Sequence, residues 1–322
     1  MYEKSIFTQI IESPLPEERK QLLSSVFKGE QLADLCRDVI AKHVFSPDLH
    51  PERMDFILQH TMNQPDIGVR SSATNEVYLQ NIYSKKTITD LPAWLRDHRL
   101  ADLEIQVDPQ EFIFTRVDIY ASNMLLLQYS VESGQLKSDL DFTNVPGVII
   151  IVLMKESPKV FKEYDSNRYI HRFTKAHSDS GLELPSLKQM VFVQLDKALE
   201  LYKSQDYNED EDIELLELFA LIADINCDKV TEGSANNKFL NDIREDVYRF
   251  TQSKEVQQMI FAEDIARMDY YSSINAARRE TAANIISLNK WLMSQGRIDD
   301  IKRYTEDPAY LDTLLEERSK KE

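Results

Sequence analysis

The run VIIIVLM at positions 148–154 constrains the fold of this chain more than any other segment. Seven apolar residues are far too few to span a bilayer, which takes about 20 in a helix. The run lacks polar alternation, so it reads as a central strand buried on both faces. Such a strand needs a sheet around it and helices packed against that sheet. Only 7 glycines in 322 residues imply few tight turns and much helix.

The remaining pattern supplies those parts. The first 30 residues read as a helical arm punctuated by SPLPEE. QLADLCRDVIAKH (31–43) sets Leu32, Leu35, Val39 and Ile40 at helical spacing, and ERMDFILQHTM predicts a second helix. NEVYLQNI, KTITDLPAWL and LADLEIQV predict three strands with short charged connections. QEFIFTRVDIYASNMLLLQYSVESG predicts a long helix ending at Gly134 as its cap. YIHRFTKA and MVFVQL predict weaker strands, and DKALELYKS a helix entered directly from the last of them.

Strand signals cease after residue 205, and the acidic segment at 206–212 within DYNEDEDIELLE marks either a candidate boundary or an exposed loop within one unit. The organisation expected is an arm over 1–30, an α/β domain over 31–205 and an all-helical C-terminal region over 206–322. The end of the chain reads as helix, Gly turn, short helix, turn and helix. A DNA-binding helix-turn-helix has this outline, and so does any helical hairpin. The third helix, AYLDTLLEE, is acidic where groove binding calls for base.

Several function classes are unsupported. Cys36 and Cys227 stand far apart, with no disulfide or metal-ligand spacing, which is consistent with a reducing cytoplasm. The N-terminal stretch lacks a basic region followed by an apolar core. There is no Gly-rich phosphate loop, hence no nucleotide cofactor is expected, and no GxSxG. The six histidines show no ligand spacing along the chain. A net charge of −17 weakens a nucleic-acid reading, yet the flanks of 90–106 carry Lys85, Lys86, Arg96, Arg99 and Arg116 as a candidate basic rim.

ADLEIQ at 101–106 carries the chemistry. Alternation along a strand puts Glu104 and Gln106 on one face and Leu103, Ile105 and Val107 on the other. A carboxylate on a half-buried strand is costly unless it is paired or binds metal. Asp90 lies fourteen residues upstream, at the start of the preceding apolar segment. Two carboxylates brought together by neighbouring strands make a candidate divalent-metal site. Asp97 and Asp102 are rivals for the place of Asp90, with Asp102 the weaker because it shares a strand with Glu104. Glu104 can instead form a salt bridge with Arg99 or Arg116, and Asp38 with Lys42 an ordinary helix ion pair.

In order, Asp38 and Lys42, then Asp90, then Glu104-x-Gln106, then Arg116 and Tyr120, then Gln128 and Gly134 resemble the PD-(D/E)XK nucleases of the Rpn type, recombination-promoting nucleases also called putative transposases. The C-terminal LMSQGRIDDIKRYTED is similar to the tail of that family. The resemblance covers about 36–315. It implies a restriction-endonuclease-like mixed sheet flanked by helices, a metal-dependent DNA endonuclease and a link to recombination or defence against mobile DNA. Departures include the Pro and Trp of LPAWLRDHRLAD after Asp90 and the missing aromatic near GQLKSDLDF.

On that resemblance, Asp90, Glu104 and Gln106 are the expected catalytic residues. Mg²⁺ (or Mn²⁺) would be held by Asp90, Glu104 and the backbone carbonyl of Ile105. Gln106 stands where many relatives carry Lys, and its expected role is to orient the attacking water. Arg116, Tyr120 and Lys42 are candidate phosphate contacts. DNA is the expected partner, with a homodimer formed through the C-terminal helices, where Leu288, Trp291, Leu292 and Ile301 are available. A rival reading from another class is a non-catalytic acidic interaction protein on the same scaffold, favoured by the charge and by Gln106. A third is a helical DNA-binding regulator using 288–317.

Overall fold

The computed structural model describes residues 4–73, 76–77, 87–88, 90–135, 145–164, 167–207 and 211–319. The chain begins with α1 (Ile6–Glu12), α2 (Glu17–Phe27), α3 (Asp38–Val44) and α4 (Pro51–Met62). The strands β1 (Val69–Ser72), β2 (Glu76–Val77), β3 (Thr87–Ile88), β4 (Leu91–Leu95) and β5 (Leu100–Gln106) follow, then helix α5 (Ile113–Gln135). Next come β6 (Val148–Met154), α6 (Lys159–Lys162), β7 (Ile170–His177), β8 (Glu183–Gln194) and α7 (Leu195–Ser204). The remainder is helical: α8 (Ile213–Ala223), α9 (Asp228–Asn236), α10 (Lys238–Thr251), α11 (Lys254–Ser294), α12 (Ile298–Glu306) and α13 (Pro308–Ser319).

Six strands form one mixed sheet in the order β1-β4-β5-β6-β8-β7. The β5–β6 and β6–β8 pairs are parallel and the outer pairs antiparallel. All seven residues of β6 are buried, as an unbroken apolar run requires. Val148, Ile150, Val152 and Met154 pack with Ile113, Val117, Ala121 and Met124 of α5, while α7 also touches β6. Each large aliphatic side chain buried there contributes about 1.5–3 kcal/mol. That central stack fixes β5, and with it the site.

Three local expectations differ from what is found. The helix expected over 31–43 begins only at Asp38. The Asp34 carboxylate accepts the Cys36 N–H at 3.0 Å and the Asp34 carbonyl accepts the Arg37 N–H, so turn bonds replace helix bonds before that point. Strand β1, paired antiparallel with β4, has no period-2 signal in its four residues VRSS. Gly134 is helical and α5 continues to Gln135, so it is not the cap. Residues 75 and 78–82 of the expected strand NEVYLQNI lie outside the described residues, as do Lys85 and Lys86. Cys36 is buried, its thiol donating to the Ile222 carbonyl at 3.4 Å.

Contacts divide the chain into two compact units. The first holds the segment ending at Glu12 and Glu17–Ile260, so α8, α9 and α10 cluster with the sheet. The second holds Ser13–Pro16 and the chain from Phe261 onward. There Leu288, Leu292 and Leu314 are fully buried among Trp291, Ile301, Tyr304 and Tyr310. Leu288 and Leu292, two of the residues offered for self-association, are therefore used inside this unit, and Trp291 and Ile301 are partly buried beside them. Gly296, at φ 69°, makes the turn into α12, and the Arg297 N–H reaches back to the Leu292 carbonyl at 2.9 Å. Among the described residues no helix is long and apolar enough to cross a membrane.

Candidate active site

Asp90 occupies a bend immediately before β4, and Leu91 of β4 lies opposite Leu103 of β5. The antiparallel register brings Asp90 beside Glu104. Asp90 Oδ2 accepts the backbone N–H of Ile105 at 3.1 Å, so the side chain continues the ladder where the strand has bent away. A residue's N–H and C=O leave a strand on the same side, so the Ile105 carbonyl also faces the end of β4.

Asp102 and Glu104 project from the same face of β5, two residues apart. Both are buried; Asp102 has no exposed surface. Asp102 Oδ1 accepts the Leu91 N–H at 3.1 Å, while Asp102 Oδ2 and Glu104 Oε1 are buried and have no partner beyond the carboxyl group of the other. Three carboxyls thus converge from two strands. Burial raises each of them above the ordinary carboxylate range. Mutual repulsion adds to this: Asp90 raises Asp102, and Asp102 and then Asp90 raise Glu104, against the pull of Arg116. For Asp90 the Ile105 N–H opposes the rise; Asp38 raises it further while Lys42 and Arg116 lower it.

Arg116, in the first turns of α5, is the cation of this cluster. Its Nη2 reaches Glu104 Oε2 at 3.3 Å, its Nη1 reaches Gln106 Oε1 at 3.0 Å and Gln110 Oε1 at 3.3 Å, and its Nε reaches the Tyr120 hydroxyl at 3.2 Å. Gln106 Nε2 donates to the Asp108 carbonyl at 2.8 Å, so both ends of that amide are engaged. Lys42 pairs with Asp38 on α3 at 2.7 Å, and both residues act electrostatically on Asp90. Gln128 lies apart, donating to the His98 carbonyl at 3.2 Å.

The candidate basic rim divides. Arg96 and Arg99 sit in the turn joining β4 to β5, at the opposite end of those strands from Asp90 and Glu104. Arg99 is bonded to Asp97 at 2.6 Å and to Gln64 and Gln189, and Arg96 to Asp55 at 3.4 Å. A five-residue strand is about 16 Å long, so closeness in sequence misplaced them. Asp97, held by Arg99, is thereby away from the cluster. Asp102 is within it. Sharing a strand with Glu104 is no obstacle, because alternation returns to the same face after two residues.

The buried oxygens with no partner but each other test whether a divalent metal suits these residues. Among the described residues three carboxyls face one guanidinium, and Asp38 cancels Lys42, so ionising the cluster puts excess negative charge in a buried place and the metal-free carboxyls hold protons instead. A hard dication with oxygen ligands relieves both the charge and the orphaned acceptors. The residues fit such an ion.

A mixed sheet with helices on its faces and acids converging from two adjacent strands defines a PD-(D/E)XK nuclease-like fold. Residues 37–277 match the family described as PD-(D/E)XK nuclease family transposase, and the chain belongs to that family. At family level this makes it a nuclease-type hydrolase, and nucleases of this type typically use a divalent metal. No solved structure matches the chain significantly.

Proposed function

We propose that this protein is a metal-dependent endonuclease that hydrolyses phosphodiester bonds in DNA. The observation that carries the reading is the convergence of Asp90 and Glu104, with Asp102 beside them and buried carboxyl oxygens left with no partner but each other. Asp90, Glu104 and the Ile105 carbonyl would hold Mg²⁺ or Mn²⁺. When bound, the metal supplies positive charge for the developing phosphorane oxygens and lowers the pKa of water.

The chain's own residues then divide the work. Asp90 and Glu104 bind; Asp102 adds negative charge behind them. Arg116 presents a planar guanidinium at the edge of the acidic cluster, suited to a phosphate oxygen once Glu104 turns to the metal. Gln106 holds that guanidinium through Oε1, so its part is positional rather than the orienting of water. Tyr120 and Lys42 sit within the same electrostatic neighbourhood and are secondary phosphate contacts.

The ion pair between Arg116 and Glu104 also favours the second reading, a scaffold that has lost cleavage and compensates its acid internally. One assay separates the two. Purified full-length protein should nick supercoiled plasmid in Mg²⁺, and Glu104→Ala should abolish it. Absence of nicking in both Mg²⁺ and Mn²⁺ would leave the non-catalytic scaffold.

A further inference from the structure

Away from the acidic cluster, His43 of α3, His50 just before α4 and Asp246 of α10 offer three ligand atoms within 4.8 Å of one another. His43 Nε2 lies 3.0 Å from Asp246 Oδ1, and His50 Nε2 lies 3.2 Å from Asp246 Oδ2. The two imidazoles thus approach different oxygens of one carboxylate, and small side-chain shifts would bring one atom of each residue to the roughly 3.3 Å spacing that bonds of about 2.0–2.2 Å set in a tetrahedral zinc site. The three side chains are half-buried, each about one-fifth to one-quarter exposed.

The surroundings are arranged as metal ligands require. His50 Nδ1 lies 3.4 Å from Glu52 Oε1, a carboxylate placed to take the Nδ1–H and so turn Nε2 to a metal when one binds. The His43 ring is stacked on Phe250 with centroids 3.7 Å apart and planes 4° from parallel, so its orientation is fixed. Arg53, itself buried and bonded to the Val44 carbonyl, donates to Asp246 Oδ2 at 2.6 Å and orients the carboxylate while leaving Oδ1 to a ligand role.

We propose that His43, His50 and Asp246 form a second metal site, taking Zn²⁺ or a similar borderline transition metal. Two imidazoles and one carboxylate select zinc-class ions over Mg²⁺, which prefers oxygen alone. The ion would fasten α3 to α10 and to the start of α4. Because α3 carries Asp38 and Lys42, it would also hold fixed the charges facing Asp90.

The test is Co²⁺ and Zn²⁺ titration of the chelator-treated full chain, followed by visible absorption and calorimetry. With the acidic cluster disabled by Glu104→Gln, one equivalent should bind with the absorption of a low-symmetry Co²⁺ centre. His50→Ala should weaken binding by at least about 100-fold, and Glu52→Gln, a substitution at an exposed side chain that leaves the fold alone, by about tenfold. No saturable binding, equal binding by His50→Ala and Glu52→Gln, or loss of binding in Glu104→Gln would each overturn the proposal.

Discussion

Asp90 Oδ2 receives the backbone N–H of Ile105 at 3.1 Å, a bond that fixes one acid of the cluster to the strand bearing the other. Asp90→Asn keeps an oxygen acceptor for that N–H but removes the charge. The variant should fold as wild type by circular dichroism and lose about 100-fold or more of metal-dependent nicking. Equal activity would remove Asp90 from the metal.

Asp102 predicts a stability gain from a substitution. Its buried Oδ2 has no partner beyond the Glu104 carboxyl, and burial with its acidic neighbours raises its own carboxyl. Asn at this position retains the oxygen for the Leu91 N–H and supplies an amide N–H on the Glu104 side. Asp102→Asn should stabilise the metal-free protein by about 1–3 kcal/mol at neutral pH in urea unfolding. The sign follows from proton binding. Above about pH 4 the unfolded carboxyl has lost a proton that the folded one keeps, so stability falls as pH rises toward the folded pKa. The gain should therefore shrink to nothing below about pH 4.

The same raised carboxyls make metal binding compete with protons. Ions that require ionised Asp90 and Glu104 displace protons held in the metal-free site. Affinity for Mn²⁺ should rise with pH, by up to about tenfold per unit for each proton released. Calorimetry in buffers of different ionisation enthalpy counts those protons. A flat pH profile between 6 and 8, where Glu104, pushed up to about 10, still holds its proton, would contradict the assignment.

Arg116 and Gln106 are expected to act as one unit. Lysine cannot reproduce the fork that reaches Glu104, Gln106, Gln110 and Tyr120, so Arg116→Lys should lower nicking by about 10–100-fold. Gln106→Ala should cost less. If Gln106 works through the guanidinium, the double variant should be no worse than Arg116→Lys alone. Additive losses would assign Gln106 a separate role.

Much of this was legible in the residue pattern. The apolar run at 148–154 foretold the central strand, and alternation in ADLEIQ placed Glu104 on its face. What was not legible depends on three-dimensional neighbours. Asp102 looked like a poor partner because it lies on the Glu104 strand, yet the bend before β4 carries Asp90 to both. Arg96 and Arg99 looked close in sequence, but the strands separate them from the acids. His43, His50 and Asp246 are brought together across some 200 residues, a distance that no local spacing rule covers. The start of α3 was obscured because Leu32 and Leu35 keep helical spacing while Asp34 bonds the backbone into a turn.

The most direct test of the metal centre is anomalous scattering from crystals of the full chain soaked in Mn²⁺. A peak is predicted between the carboxyl oxygens of Asp90 and Glu104, within reach of the Ile105 carbonyl, with Glu104 turned from Arg116. Glu104→Gln crystals soaked alike should lack it. A Mn²⁺ soak that leaves Arg116 on Glu104 and no density between the two acids would contradict the account.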